Sequence, residues 1–275
     1  MTHRALITND DGIDAPGLVA LADAAIQAGI EVTIAAPAAQ SSGSSASIMA
    51  SESDGRIAVD RRTLDALPDV HAFAVHGGPG LIAMIAARGA FGPAPDLVLS
   101  GVNHGANVGR AILHSGTVGA ALTGALNGAW AMAVSLDVGM NPQAFHWNTA
   151  ARAAMTLLPT LTAQPRGTAL NVNAPNRTDP RGIRQCTLAP FGIVQTTVAE
   201  SDESDESYVR LAVEELPNIP TDDSDAACLA QGWITMTSVD SVTERPIDED
   251  QLIGGTVDIS AVPAAAPASA GSGTR

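Results

Sequence analysis

Apolar positions fall into two patterns along this chain. Short, nearly unbroken apolar runs occupy residues 5–7, 30–35, 96–100, 131–136 and 168–172. Runs of this kind mark strands covered on both faces, as in a parallel sheet between helix layers. Between them apolar residues recur at helical spacing. Leu18, Leu21, Ala22, Ala25 and Ile26 share one face of a predicted helix over 17–28, and Gly29 closes it as a C′ glycine does. Further helices are predicted after Gly77-Gly78-Pro79-Gly80 through Ala87, over 118–126 and over 144–158. The opening strand–helix–strand unit predicts a right-handed crossover and parallel strands. Weaker patterns at 56–60 and 70–75 read as short strands joined by 61–69. Together these elements predict an α/β fold: a doubly wound, three-layer sandwich around a mainly parallel sheet.

The texture changes near residue 180. Residues 183–198 and 207–213 read as long strands with no crossover helix between them, hence an antiparallel arm or hairpin suited to subunit contact. Their link, 200–206, holds five carboxylates in seven residues and is expected to be solvated. The acidic segment Thr221-Asp222-Asp223-Ser224-Asp225 predicts helix capping ahead of a helix at 226–231, with a last strand at 233–238. The Ala-, Pro-, Gly- and Ser-rich tail from Pro263 is expected to be disordered. The expected organisation is a core over 1–180, an arm with a returning helix and strand over 181–262, and a tail over 263–275.

Composition narrows the chemistry. Aromatic residues are 3% of the chain, so the core must be aliphatic. A net charge of −15 opposes binding to the backbone of polymeric nucleic acid, which needs a basic face. All 14 basic residues are Arg; the absence of Lys excludes P-loop phosphate binding through Lys, Schiff-base chemistry and Ser-Lys dyads. Cys186 and Cys228 lie in no metal-like spacing and read as structural thiols of a reducing compartment. The amino terminus runs into the first strand without a secretory pattern, and no apolar run reaches the ~18 residues of a membrane span, so the expectation is a soluble, cytoplasmic protein with no membrane partner.

Three polar loops follow strand ends. The first strand opens onto Asn9-Asp10-Asp11-Gly12, where one carboxylate could cap the next helix but two adjacent ones repel and invite a cation. The second strand leads to Ser41-Ser42-Gly43-Ser44-Ser45, a flexible loop or an anion- or metal-holding nest. The third leads to Ser100-Gly101-Val102-Asn103-His104-Gly105-Ala106-Asn107-Val108-Gly109 and on to His114-Ser115-Gly116-Thr117. In a parallel sheet all three loops share one edge. Asp10, Asp11, a serine of 41–45 and Asn103 or Asn107 are oxygen donors, suited to Mg²⁺, Mn²⁺ or Ca²⁺ rather than Zn²⁺. Thr117 with the amides of Ser115 and Gly116 marks a helix start that favours phosphate. A hard cation beside an anion cradle suggests phosphoryl chemistry.

In combination, Thr8-Asn9-Asp10-Asp11-Gly12-Ile13, Ala36-Pro37 with Ser42-Gly43, Leu99-Ser100-Gly101-Val102-Asn103-His104-Gly105-Ala106-Asn107-Val108-Gly109 and Ser115-Gly116-Thr117-Val118 resemble the SurE family. These are stationary-phase survival proteins that act as metal-dependent 5′/3′-nucleotidases. The resemblance spans residues 4 to about 240. It implies a Rossmann-like core, a homodimer or homotetramer built through the arm, and one divalent cation per subunit on Asp10, Asp11, Ser42 and Asn103. It also implies a small-molecule nucleotide substrate, with Asn9, Gly43, Asn107, Ser115, Gly116 and Thr117 around the phosphate, and Asp10, Asp11 and Asn107 as the catalytic residues. The chain departs from the family pattern at Gly77-Gly78-Pro79-Gly80-Leu81-Ile82, at Arg110 and Ala111, and at His114 in place of a tyrosine.

The function these residues imply is hydrolysis of nucleoside 5′- and 3′-monophosphates to nucleoside and phosphate. In that reaction Asp10 or Asp11 would orient the attacking water, and His104 or His114 is a candidate general acid. The competing reading is a nucleotide-sensing or scaffold protein that keeps the fold and metal site with negligible turnover. A dinucleotide-dependent oxidoreductase is disfavoured, because Asn-Asp-Asp-Gly stands where Gly-x-Gly-x-x-Gly is needed.

Overall fold

The computed structural model describes residues 2–41, 43, 45–48, 50, 52–53, 56–139, 141–190, 194–199, 210–215, 223–240 and 243. Residues 1–241 form one compact unit. Its first half contains β1 (Arg4–Thr8), α1 (Pro16–Gln27), β2 (Glu31–Pro37), the short β3 (Glu52–Ser53) and β4 (Arg56–Ile57), β5 (Val59–Leu64), β6 (Leu67–Val75) and α2 (Pro79–Ala86). Then follow β7 (Leu97–His104), a 3₁₀ turn (Gly109–His114), α3 (Gly116–Leu126), β8 (Trp130–Asp137), α4 (Trp147–Thr162) and β9 (Ala169–Pro175). The chain continues with β10 (Ile183–Gln185), β11 (Val194–Ala199), β12 (Arg210–Glu215), α5 (Asp225–Ala230) and β13 (Ile234–Val239).

The main sheet has nine strands in the order β10-β13-β9-β8-β7-β1-β2-β6-β5. From β9 to β6 every neighbouring pair is parallel. The chain winds outward from β1 through β2 to β6, then restarts at β7 and winds the other way through β8 to β9. This is the Rossmann-like, doubly wound arrangement expected, and its switch point lies between β1 and β7, where open α/β sheets hold their ligands.

Alternation within each buried strand feeds two aliphatic cores. Ala5 and Ile7 of β1 and Leu97 and Leu99 of β7 join Leu18, Leu21 and Leu157 on the face covered by α1 and α4. Leu6 and Val98 turn the other way, toward Ile82, Val118 and Ala121 of α2 and α3. Both faces of the sheet are therefore buried, which is why these strands read as unbroken apolar runs.

Two segments differ from the sequence-based expectation. Residues 61–69 are not a joining loop: 61–64 belong to β5 and 67–69 to β6, the two strands running antiparallel. The residues from Val59 to Thr63 are all exposed on this edge strand, so burial leaves no apolar alternation there to detect. The long strand expected over 183–198 is divided instead: Ile183–Gln185 pairs with β13 in the main sheet, and Val194–Ala199 pairs with β12 in a separate antiparallel hairpin. The division falls around Pro190, which cannot donate to a ladder. The expectations for 200–206, for Thr221 and Asp222 and for the tail from Pro263 lie outside the described residues.

Asp225 ties the late segment to the middle of the chain. The helix is capped by Ser224, whose hydroxyl accepts from Ala227 N, while Asp225 is fully buried. Its carboxylate accepts from Gly109 N and Ala189 N, each at 2.9 Å, and from Ala226 N at 2.8 Å. Burial pushes this carboxyl above its ordinary value, opposed by those three amides. The acidic segment thus does more than cap a helix, since one of its carboxylates reaches across the structure to Gly109. Nearby, Cys186 and Cys228 are free, buried thiols, and burial pushes Cys186 up to about 12, as befits an inert structural thiol.

Gly17 sets the approach of α1 to the end of β7. A Cβ at this position would stand 2.1 Å from Val102 O and 3.2 Å from the Trp147 ring. Two variants test these supports in urea unfolding followed by circular dichroism. Gly17→Ala is expected to lose about 1–3 kcal/mol through overpacking, and an unchanged midpoint would show that α1 can shift freely. Asp225→Ala is expected to lose about 1–3 kcal/mol by orphaning buried amides, whereas a neutral result would mean that water replaces the carboxylate there.

Candidate active site

The loop after β1 is held in shape by Asn9. Its Nδ2 donates to Gly12 O at 2.9 Å and its Oδ1 accepts from Gly12 N at 3.2 Å, with the side chain fully buried. Gly12 has φ +105°, a conformation that L side chains avoid and glycine accepts. The turn so formed places Asp10 and Asp11 at the β1/β7 edge. Helix α1 begins only at Pro16, its N-cap is Ala15, and no side chain caps it. Neither aspartate is therefore a capping residue, which removes the simpler explanation of the pair.

The two carboxylates face different neighbours. Asp10, only 6% exposed, accepts a hydrogen bond from the Thr117 hydroxyl on α3. Burial pushes its carboxyl above the ordinary value; the Thr117 bond opposes this and the neighbouring Asp11 adds to it. Asp11, half-buried, accepts at Oδ2 from His104 N, 3.0 Å away. The residues after β2 close the third side: Ser41 N donates to Asp10 O at 2.7 Å, and Ser45 Oγ donates to Leu113 O at 2.6 Å. The serine loop thus runs from Asp10 to the turn before α3. Gly43 is exposed on that loop, and Ser42 lies outside the described residues.

Asn103 lies at the end of β7 and Asn107 on the loop that follows it. The Asn103 amide nitrogen donates to Gly105 O at 2.8 Å, which leaves its carbonyl oxygen as the donor for a cation. Asn107 is gripped at its backbone: its N–H donates to Asn173 Oδ1 at 2.7 Å, and its carbonyl accepts from Asn171 Nδ2 and Asn173 Nδ2, each at 2.8 Å. Its side-chain Nδ2 donates to Ser135 Oγ at 2.9 Å. Sequence reasoning missed Ser135, Asn171 and Asn173. The available signal was two asparagines at alternate positions of an otherwise apolar strand, which places both on one face.

At the start of α3 the Ser115 hydroxyl accepts from Val118 N at 3.1 Å, an N-cap, and the Ser115 amide itself donates to Ile112 O at 3.1 Å. The free first-turn N–H groups at this helix start are those of Gly116 and Thr117, which have no acceptor within the helix, an arrangement that favours an anion. Thr8 and Ser100, register neighbours across β1 and β7, are fully buried, and their hydroxyls have no hydrogen-bond partner among the described residues.

These donors fit a hard cation. Among the described residues no three His, Cys, Asp or Glu side chains converge. Asp10, Asp11 and the Asn103 amide offer oxygen donors on segments joined by the His104–Asp11 hydrogen bond, and oxygen donors are the ligand chemistry of Mg²⁺, Mn²⁺ or Ca²⁺. A buried carboxylate beside a second one gains from positive charge, and a cation there would reverse the upward push on Asp10. His104 and His114 are both exposed, and His104 bonds Asp11 through its backbone N–H.

Comparison with known proteins bears on the family and the fold. The family model described as survival protein SurE matches residues 5–194. Proteins named 5′-nucleotidase SurE from Xanthomonas euvesicatoria pv. vesicatoria and Xanthomonas oryzae pv. oryzae are each 42% identical over 175 residues, covering 63% of this chain and 64% of theirs. The chain thus spans less than two thirds of the length of these relatives. The crystal structure of the SurE protein from Aquifex aeolicus superposes with a TM-score of 0.70 at 25% identity, covering 86% of this chain and 93% of that one. With the paired aspartates at the switch point, the helix start that faces them and a family match over most of its core, this chain belongs to the SurE family.

Proposed function

We propose that the protein is a metal-dependent phosphomonoesterase that hydrolyses nucleoside 5′-monophosphates, and 3′-monophosphates as well, to nucleoside and phosphate. The observation that carries this reading is the buried Asp10, paired with Asp11 at the switch point and hydrogen-bonded to Thr117 at the mouth of a helix. The name 5′-nucleotidase carried by its relatives points the same way.

In this reading Asp10, Asp11, Ser42 and Asn103 hold one divalent cation per subunit, Mg²⁺ or Mn²⁺, with Ca²⁺ able to occupy the same oxygen set. Bound there, the cation supplies Lewis acidity toward a phosphate oxygen and lowers the pKa of a water. The chain's own groups do the rest. The Gly116 and Thr117 amides, with Ser115 shaping that turn and Gly43 opposite, hold the remaining phosphate oxygens. Asn107 has two amide hydrogens; Ser135 takes one, and the other remains for phosphate. Asn9 acts through the turn it fixes, keeping both carboxylates in place. Asp11, or Asp10, orients the attacking water, and His104 or His114 protonates the leaving alkoxide.

The β11–β12 hairpin is the element we assign to subunit contact, in a homodimer or homotetramer, because it forms a small sheet of its own. No helix among the described residues is long and apolar enough to cross a membrane. Two free, buried thiols suit the cytoplasm as the place of action.

Phosphate release from a panel of 5′- and 3′-nucleoside monophosphates tests the reading. Turnover is expected with Mg²⁺ or Mn²⁺, to stop in EDTA, and to fall at least about 10²-fold in Asp10→Asn with the fold preserved by circular dichroism. Undiminished release in EDTA would overturn the metal role. No release with either metal, from folded protein that binds Mn²⁺, would overturn the enzymatic one.

A further inference from the structure

A cavity of about 600 Å³ opens beside Asp11; Asp10 and Thr117 are not among its lining residues. This is the volume range of small-molecule sites. Asp11 and Gly12 form one wall and Ala38 part of another, while His104, Phe145 and Trp147 contribute rings. Phe145 and Trp147 are stacked, 15° apart in plane with centroids at 5.4 Å. His104 stands 5.3 Å from Phe145 and 6.0 Å from Trp147, tilted to both.

This placement is unusual for the chain. It has only four Phe, three Trp and one Tyr in 275 residues, and a Phe and a Trp line this one cavity. Phe145 remains 44% exposed, so its ring is not consumed by the core. The segment that presents it is also fixed. Asn176 accepts from His146 N and donates to Ala144 O, each at 2.8 Å, bracketing Phe145 on both sides. Trp147 is the first residue of α4, and its ring packs where Gly17 leaves room. His104, through its backbone N–H, holds Asp11, so the residue that supplies the third ring also positions a carboxylate of the site.

We propose that His104, Phe145 and Trp147 form the nucleobase platform of this protein, and so set its preference for nucleotides over base-free sugar phosphates. The inference rests on the phosphomonoesterase reading for its orientation: phosphate lies at the start of α3, and the rest of the substrate leaves across Asp11 into the aromatic cavity. Bases stack on such rings whatever their identity, so the platform favours a base without choosing sharply among bases. The neighbouring Asp11 and Asp14 make the cavity unfavourable for a second anionic group. A neutral aromatic ring system is what it suits.

The test compares adenosine 5′-monophosphate with ribose 5-phosphate, which keeps the phosphate and sugar and lacks the base. Wild-type kcat/KM is expected to favour the nucleotide by about tenfold or more, carried mainly by KM. Phe145→Ala is expected to cut that ratio by about tenfold, and Trp147→Phe, which keeps a ring, to preserve most of it. Equal kcat/KM for the two substrates in the wild type, or a ratio that survives Phe145→Ala, would overturn the platform and leave the phosphomonoesterase standing. If neither substrate is turned over, equilibrium dialysis with Mn²⁺ decides the platform alone. Tighter binding of the nucleotide that weakens in Phe145→Ala supports it, and equal affinity overturns it.

Discussion

The hydrogen bond from Thr117 to Asp10 is the contact on which the rest of the site depends. It joins the carboxyl end of β1 to the first turn of α3 and thereby places a buried negative charge against the positive end of a helix. An isolated buried carboxylate is costly, and a second one beside it makes matters worse. The Thr117 hydroxyl and a backbone hydrogen bond offset part of this, and the carboxyl still sits above its ordinary value. Everything around the pair is arranged to hold it there: the Asn9 turn before it, Ser41 across from it, and the His104 amide on Asp11.

A second layer of support comes from amides. Asn171 and Asn173 on β9 and Ser135 on β8 hold Asn107 through four hydrogen bonds at three of its atoms, so the loop after β7 is fixed by strands that come later in the chain. Uncharged partners suit this task. They give defined hydrogen-bond geometry close to the carboxylates without adding a charge that would compete for a cation.

The parallel strands were legible because both of their faces are buried, so each left an apolar run; the edge strand β5 left none. The convergence of the three polar loops was legible too, since parallel order alone brings strand ends together. Supporting residues were harder to read. An Asn inside a strand, or an Asp near a helix start, has the same local pattern whether it serves its own segment or a distant loop. Asp225 is the clearest case: its neighbours suggest capping, and only the tertiary structure reveals Gly109 and Ala189 as its partners. The division of 183–198 was hidden for the same reason, because the pairing partner of Ile183–Gln185 is β13, far along the chain.

The reach of Asp225 also orders events in time. Chains fold as they are synthesised, from the amino terminus onward. The strands from β1 to β9, and with them both aspartates, leave the ribosome before residue 225 exists. The loop that carries Asn107 is anchored at Gly109 only when that late carboxylate arrives. A nascent or truncated chain ending before α5 would therefore display the sheet and the acidic pair with the adjoining loop held at Asn107 by β8 and β9 but not yet at Gly109, so the last fastening of that loop waits for the end of synthesis.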